Sequence, residues 1–166
     1  MSKRSARNTL IFVLTALFTV ALDQASKAIL VATVEPGDTI TMIPRVLWIT
    51  HSTNTGAAFG LLRGSGQIVF LAALVVVVVM LAWFFYTREH MGAWSFFGLG
   101  LIIGGAVGNL ADRVFRGKVV DFFDLHWWPV FNVADIAIVA GVIIVLAGYA
   151  RELWRAEGSA SPEPEV

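Results

Sequence analysis

The hydrophobic positions of the chain fall into four long runs separated by polar loops, at residues 9–31, 67–86, 94–114 and 134–153. A helix of about 20 apolar residues crosses the hydrocarbon core of a bilayer, so each run is long enough to span it. LVVVVVM in the second run is β-branched and by propensity resembles a buried strand. Lipid offers its backbone no hydrogen-bond partner, however, which favours a helix. The pattern predicts four transmembrane helices.

The first run can also be interpreted as a secretory signal peptide, because Lys3, Arg4 and Arg7 precede it. It is longer than the usual apolar region of such a peptide, and it carries Asp23 and Lys27 near its end. Three further runs follow it. We therefore predict that it is a retained helix.

The loops carry their own patterns. Between the first two runs, the alternating segments TITMI and VLWIT are punctuated by proline and glycine, which predicts a β-hairpin or platform on the outer membrane surface. Between the third and fourth runs, Trp127 and Trp128 indicate an interfacial loop or a short amphipathic helix. The predicted fold is an all-α membrane protein, a four-helix bundle with a small β-rich platform. We expect residues 1–155 to form one domain and residues 156–166 to form a disordered tail.

Composition supports this class. The chain is 57% hydrophobic and 14% charged, against about 25% charged in soluble proteins. Its formal net charge of +0 gives no electrostatic reason to expect nucleic acid. Cysteine is absent, which excludes disulfides, thiolate metal sites and cysteine nucleophiles. His51, His90 and His126 fall in three different loops without ligand spacing, so we expect no metal and no cofactor.

The basic residues predict the orientation. The cluster at Lys3, Arg4 and Arg7 favours a cytoplasmic N-terminus, and four spans then return the C-terminus to the same side. The loops that carry Asn54 and Asp121 then face outward. Arg113 lies on that outward side, although basic residues are usually enriched on the cytoplasmic side. This departure suggests that Arg113 belongs to a functional site.

Asp121 and Asp135 lie on either side of one short loop. An ionised carboxylate at the bilayer centre costs about 2.5–3.5 kcal/mol, so acids in such a chain indicate a functional site. Two carboxylates a few ångströms apart share a proton, and the pair can activate water while protonating a scissile carbonyl. That is aspartic peptidase chemistry.

A structural interpretation of Asp135 competes with this one. Asn132 is a plausible N-cap of the fourth helix, and Asp135 then resembles the acidic member of a capping box. Capping explains Asp135 but not Asp121. Asp124, a third carboxylate nearby, is expected to be a solvated loop residue.

Further polar residues have helical spacing. Asp23 and Lys27 are one turn apart, which predicts an ion pair that either only neutralises itself or supports the site. Asn109, Asp112 and Arg113 share one face of the third helix, whereas Arg116 is expected on the loop beyond it. The GxxxG pattern of Gly104 and Gly108 indicates close helix packing and nothing catalytic.

Other classes of membrane protein fit less well. The sequence has no HExxH, GxSG or GxGD motif of the other intramembrane peptidases. A small proton-coupled transporter is the main alternative, but it requires internal repeats or interrupted helices, which the sequence does not show. A structural scaffold, in which Asp135 is only a cap, is a further alternative.

Five ordered blocks resemble a known family, the lipoprotein signal peptidases or signal peptidase II: LDQASK, NTGAAFG, GGAVGNLADR, VVDF and FNVAD. The resemblance runs from the first helix to the fourth. It implies an aspartic endopeptidase of the bacterial inner membrane that cleaves prolipoproteins just before their diacylglyceryl-modified cysteine. It also implies membrane lipids as surroundings and inhibition by the cyclic peptide globomycin, which occupies the active site.

The resemblance also assigns residues. It places the catalytic dyad on Asp121 and Asp135, with the site facing the periplasm. Supporting or substrate-binding roles fall on eight further residues within the matched blocks: Asp23, Lys27, Asn54, Gly56, Asn109, Asp112, Arg113 and Asn132.

Overall fold

The computed structural model describes residues 3–54 and 92–158, together with Val75, Val78, Val79, Ala82 and Tyr86. Three long helices lie in the continuous ranges, α1 at Lys3–Thr33, α2 at Ala93–Arg116 and α3 at Val133–Gly158. They correspond to the first, third and fourth hydrophobic runs. The helix predicted at 67–86 lies outside the described residues except for the five isolated positions, each of which is helical.

All three helices are long and apolar enough to cross a membrane. Side chains such as Leu17 and Phe18 on α1, and Ile143 and Leu146 on α3, are exposed, as expected of surfaces that face lipid. Both α1 and α3 extend past the predicted ends of their apolar runs, because the flanking lysines, arginines and alanines are good helix formers. α3 therefore continues to Gly158, into the segment predicted as a tail.

α2 is the most buried of the three helices and packs against both α1 and α3. Its glycines allow the close approach that the GxxxG pattern predicts. A Cβ at Gly104 would lie 2.7 Å from the carbonyl oxygen of Ala16, and one at Gly108 would lie 2.5 Å from Oδ2 of Asp23. Gly108 therefore leaves room for an acid of the site and not only for a neighbouring helix.

The strands form an antiparallel sheet in the order β1 (Thr39–Ile43), β2 (Leu47–Asn54) and β3 (Val119–Asp124). The predicted hairpin of TITMI and VLWIT is confirmed as β1 and β2, joined by a turn in which Arg45 has a φ of 65°. The interfacial loop or short helix predicted after the third run is wrong for residues 119–124. Valine and phenylalanine favour a strand there, and β2 supplies the backbone partners.

A small core beneath the sheet connects it to the end of α1. Leu30 of α1 and Val34, the residue just after α1, pack against Val120 and Phe122 of β3. These two residues of β3 flank Asp121 in the sequence. Their burial therefore fixes the backbone on both sides of this carboxylate.

Candidate active site

A buried cation occupies the centre of the polar cluster. The side chains of Lys27, Asp23 and Asp112 are fully buried. Lys27 Nζ lies 2.9 Å from Asp23 Oδ2, 2.9 Å from Asp112 Oδ2 and 3.0 Å from Asn109 Oδ1. An ammonium group has three donors, and all three are used here. Asp23 and Lys27 thus form the predicted ion pair, which also binds α2.

The two acids of this cluster hold the neighbouring elements in place. Asp23 Oδ1 accepts a hydrogen bond from the backbone N–H of Ala134 at 3.0 Å, which links α1 to the first turn of α3. Asp112 Oδ2 accepts one from the backbone N–H of Val120 at 3.1 Å, one residue before Asp121. The backbone segments that carry Asp121 and Asp135 are therefore both fixed by buried carboxylates.

Asn109 connects this cluster to Asp135. Its Nδ2 donates to Asp135 Oδ1 at 2.9 Å, and its Oδ1 accepts from Lys27 and from Asn132 Nδ2 at 3.0 Å. Because an ammonium group only donates, Lys27 requires the oxygen of this amide to face it. The NH₂ group of Asn109 must then face Asp135.

Asn132 connects the two acids that flank the loop. As the N-cap of α3, its Oδ1 accepts from the N–H of Asp135 at 3.0 Å, and its own N–H donates to Asp135 Oδ2 at 3.1 Å. This is the capping box that the sequence suggests. The Nδ2 group of Asn132 also donates to Asp121 Oδ1 at 2.6 Å. Asp135 is thus a capping residue and also a neighbour of Asp121.

Asp121 lies in a site that disfavours its charged form. Burial raises the pKa of Asp121 to about 6, and the negative charge of Asp135 acts in the same direction. Hydrogen bonds from Asn132 and Asn54 and the charge of Lys27 lower the pKa and so limit the rise. An acid in this state can retain a proton near neutral pH and release it during a reaction.

Arg113 lies beside both acids. Its Nη1 donates to the backbone carbonyl of Asn109 at 3.0 Å, and the guanidinium interacts electrostatically with Asp121 and Asp135. The side chain is partly exposed, so donors remain for a bound molecule.

The structure brings most of the predicted site residues into one connected network. Gly56 lies outside the described residues. Asp124 is separate from the network, since its carboxylate accepts from Thr50 Oγ1 at 3.1 Å and from the N–H of His126 at 2.7 Å. The connected residues are Asp23, Lys27, Asn54, Asn109, Asp112, Arg113, Asp121, Asn132 and Asp135.

Sequence reasoning missed two members of the network. Gln24 Nε2 donates to Asp23 Oδ2 at 3.1 Å, to the carbonyl of Gly108 at 3.1 Å and to Asp112 Oδ1 at 3.3 Å. Arg116, expected on a loop, is the last residue of α2 and forms an ion pair with Asp112. The available signal was the position of Gln24 between Asp23 and Lys27, and the spacing of four residues between Asp112 and Arg116.

Membrane-spanning helices around a buried cluster of acids, amides and cations define a membrane enzyme as the class of this protein. Two solved structures of bacterial membrane enzymes are similar to this one. A bacterial membrane enzyme solved by the in meso method at 2.3 Å resolution superposes with a TM-score of 0.76, at 32% identity over 93% of both chains. A second bacterial membrane enzyme, solved by the same method at 1.9 Å resolution, superposes with a TM-score of 0.73, at 34% identity over 82% of this chain and 90% of that one.

Sequence relatives give the family. Residues 15–151 match the family model for signal peptidase (SPase) II. The lipoprotein signal peptidase of Syntrophomonas wolfei subsp. wolfei is 44% identical over 78% of this chain and 86% of its own. The lipoprotein signal peptidase of Moorella thermoacetica is 42% identical over 81% of this chain and 89% of its own. The chain belongs to the signal peptidase II family of aspartic peptidases, which remove signal peptides from lipoproteins in bacterial membranes.

Proposed function

We propose that Asp121 and Asp135 are the catalytic dyad of an endopeptidase that cleaves diacylglyceryl-modified prolipoproteins immediately before the lipidated cysteine. The observation that carries this proposal is the position of Asn132. This one residue hydrogen-bonds to both carboxylates, through Nδ2 to Asp121 and through its N–H to Asp135. Two acids held this way share a proton instead of both ionising.

The shared proton determines the chemistry. The ionised carboxylate accepts a proton from a water molecule, which attacks the scissile carbonyl, while the protonated carboxyl donates to the carbonyl oxygen. When the tetrahedral intermediate collapses, the departing amine takes a proton from the pair. Both acids therefore exchange roles within one turnover, and neither is sufficient alone.

The surrounding amides prepare the dyad for this exchange. Asn109, oriented by Lys27, donates to Asp135 Oδ1, and Asn132 donates to Asp121 Oδ1. Each donor favours the charged form of its acid and fixes the rotation of the carboxylate. Since these groups are held before substrate arrives, little reorganisation is required during the reaction.

Arg113 is the residue proposed to bind the substrate backbone. Its guanidinium has five donors in a fixed fork, and the structure uses one of its nitrogens for the carbonyl of Asn109. The remaining donors can bind carbonyl oxygens of an extended peptide beside the dyad. Gly56 and Asn54 are proposed to border the same peptide.

The proposed orientation places the dyad at the periplasmic side. The acids lie at the end of the bundle that carries the sheet, whereas the basic N-terminus and the end of α3 lie at the other. With Lys3, Arg4 and Arg7 in the cytoplasm, both termini are cytoplasmic and the site faces outward. The lipid of the substrate can then remain in the outer leaflet of the inner membrane during cleavage. The cyclic peptide globomycin is proposed to inhibit by occupying this site.

The test is a processing assay with purified full-length protein, a lipidated prolipoprotein and EDTA, analysed by mass spectrometry. We expect a product whose N-terminus is the lipidated cysteine. The matched control is the same prolipoprotein without the diacylglyceryl group, which should be cleaved far more slowly. Cleavage elsewhere, equal cleavage of the unlipidated control, or a loss of activity with EDTA that zinc restores would each contradict the proposal.

A further inference from the structure

A groove lies at the opposite end of the helix bundle from the active site. The described residues that line it are Ile144, Ala147, Gly148 and Arg151 of α3 and Trp94 of α2, and this open groove has a volume of about 210 Å³. The four residues of α3 are spaced at i, i+3, i+4 and i+7, so they form a single face of the helix. Trp94 comes from the first turn of α2.

The packing of α2 against α3 explains the groove. The helices pack closely at Gly98 and Gly141, where a Cβ on Gly98 would lie 2.8 Å from the carbonyl oxygen of Gly141. Toward the start of α2 and the end of α3, the larger side chain of Trp94 borders the space between the helices. Gly148 lacks a side chain there, so a shallow apolar channel remains between the two helices.

Arg151 closes the groove with a positive charge. It is the first charged residue of α3 after Asp135, so its guanidinium lies toward the edge of the membrane. Arg151 is exposed, and none of the ion pairs formed among the described residues includes it. Trp94 is 65% exposed at the same level. An arginine and a tryptophan at this depth are typical of the headgroup region.

We propose that this groove binds one anionic glycerophospholipid, with part of an acyl chain along Ile144, Ala147 and Gly148 and the phosphate on Arg151. A guanidinium fork matches two phosphate oxygens, and basic pockets between membrane helices bind lipid headgroups. Ile143 and Leu146, the neighbours of the groove residues in the sequence of α3, are exposed apolar side chains.

The experiment is native mass spectrometry of the full-length protein, delipidated in detergent and titrated with phosphatidylglycerol or phosphatidylcholine of the same chain length. We expect the wild type to retain one phosphatidylglycerol at concentrations at which phosphatidylcholine is not retained. Arg151→Gln should weaken this retention roughly fivefold, the factor that one basic residue contributes near anionic lipid. Ala147→Phe, which fills the channel and leaves the charge in place, should abolish it.

The matched control is Arg7→Gln, which removes the same charge from an exposed position at the same end of the bundle. It should retain the lipid as the wild type does. Thermal melting of each variant without added lipid confirms the fold, and processing activity should persist because neither Arg151 nor Ala147 contacts the dyad. Equal retention of the two lipids, full retention by Ala147→Phe, or an equal loss in Arg7→Gln would overturn the proposal.

Discussion

Asn132 donates its side-chain amide to Asp121 Oδ1 at 2.6 Å. The same residue is the N-cap of α3, where its backbone N–H donates to Asp135. The relative position of the two acids is therefore set by a helix cap, one of the most local structures that a sequence encodes. The capping interpretation of Asp135 and the catalytic one are compatible, since the capping box holds the second acid beside the first.

The first prediction concerns the pH dependence of cleavage. The dyad requires one shared proton, and Asp121 loses its proton as the pH rises through its pKa of about 6. The kcat/KM value, which reports the free enzyme, should therefore fall above about pH 6 by a factor of roughly ten per pH unit. A pH profile at low substrate concentration checks this. An increase of kcat/KM up to about pH 8 would contradict it.

Asn54 gives a variant that tests the cause of this pKa. Its hydrogen bond lowers the pKa of Asp121, so Asn54→Ala should move the alkaline limb of the profile to higher pH. Thr53→Ala is the matched control, since this neighbour on β2 is exposed. If both variants leave the limb in place, Asn54 has no electrostatic influence on the dyad.

The second prediction concerns stability. Because burial raises the pKa of Asp121 from 3.8 to about 6, the fold favours the protonated acid. Its contribution to stability is greatest below pH 3.8 and is lost as the pH rises through about 6. Asp121→Asn stays neutral, so it should stabilise the fold at about pH 8 by on the order of 1–3 kcal/mol. Thermal melts at about pH 4 should show no difference, and an equal gain at both pH values would contradict this cause.

The comparison of sequence and structure shows which features are local. TITMI and VLWIT predict their strands because alternation and the Pro44 turn lie within the segment, and Asn132 predicts the cap for the same reason. VVDFFD is ambiguous by itself and becomes a strand because β2 pairs with it. Its partner strand is more than sixty residues away in the sequence. A local pattern of residues therefore cannot predict this pairing.

The site follows the same rule. The ion pair of Asp23 and Lys27 can be predicted because four residues separate the partners. The role of Gln24 could not be predicted, since its acceptor Asp112 is 88 residues away in the sequence. Lys27 was predicted either to neutralise Asp23 or to support the site. The structure shows both contacts, since Nζ binds Asp23 and also Asn109.

A third prediction concerns Gly108. A Cβ at this position would lie 2.5 Å from Oδ2 of the buried Asp23, so Gly108→Ala must displace this acid from Lys27. We expect a loss of about 1–3 kcal/mol in stability together with weaker cleavage. Gly148→Ala is the matched control, because its Cβ would meet only Ser95 Oγ, at 3.3 Å. Thermal melting and processing assays compare the two, and equal melting temperatures would show that the site tolerates the added methyl group.

A fourth prediction concerns Arg113. Lysine keeps the charge but not the fork of donors, so Arg113→Lys should lower kcat/KM roughly tenfold, the value of one hydrogen bond to a charged group, and should weaken globomycin binding. Arg45→Lys is a suitable control because it lies in the exposed β1–β2 turn. Arg116 is unsuitable, since it pairs with Asp112. If the lost activity of Arg113→Lys tracks a lower melting temperature, Arg113 is a structural residue.

Whether two acids share the chemistry is tested most directly by the cleavage of a lipidated prolipoprotein by purified Asp121→Asn and Asp135→Asn. Each variant keeps the shape of its side chain but removes one member of the proton-sharing pair. We expect each variant to lose cleavage by roughly 10²–10⁴-fold, with insertion retained and no decrease in melting temperature, whereas Asp124→Asn cleaves normally. Near-normal turnover by either dyad variant, or loss of turnover in Asp124→Asn with an active Asp121→Asn, would contradict it.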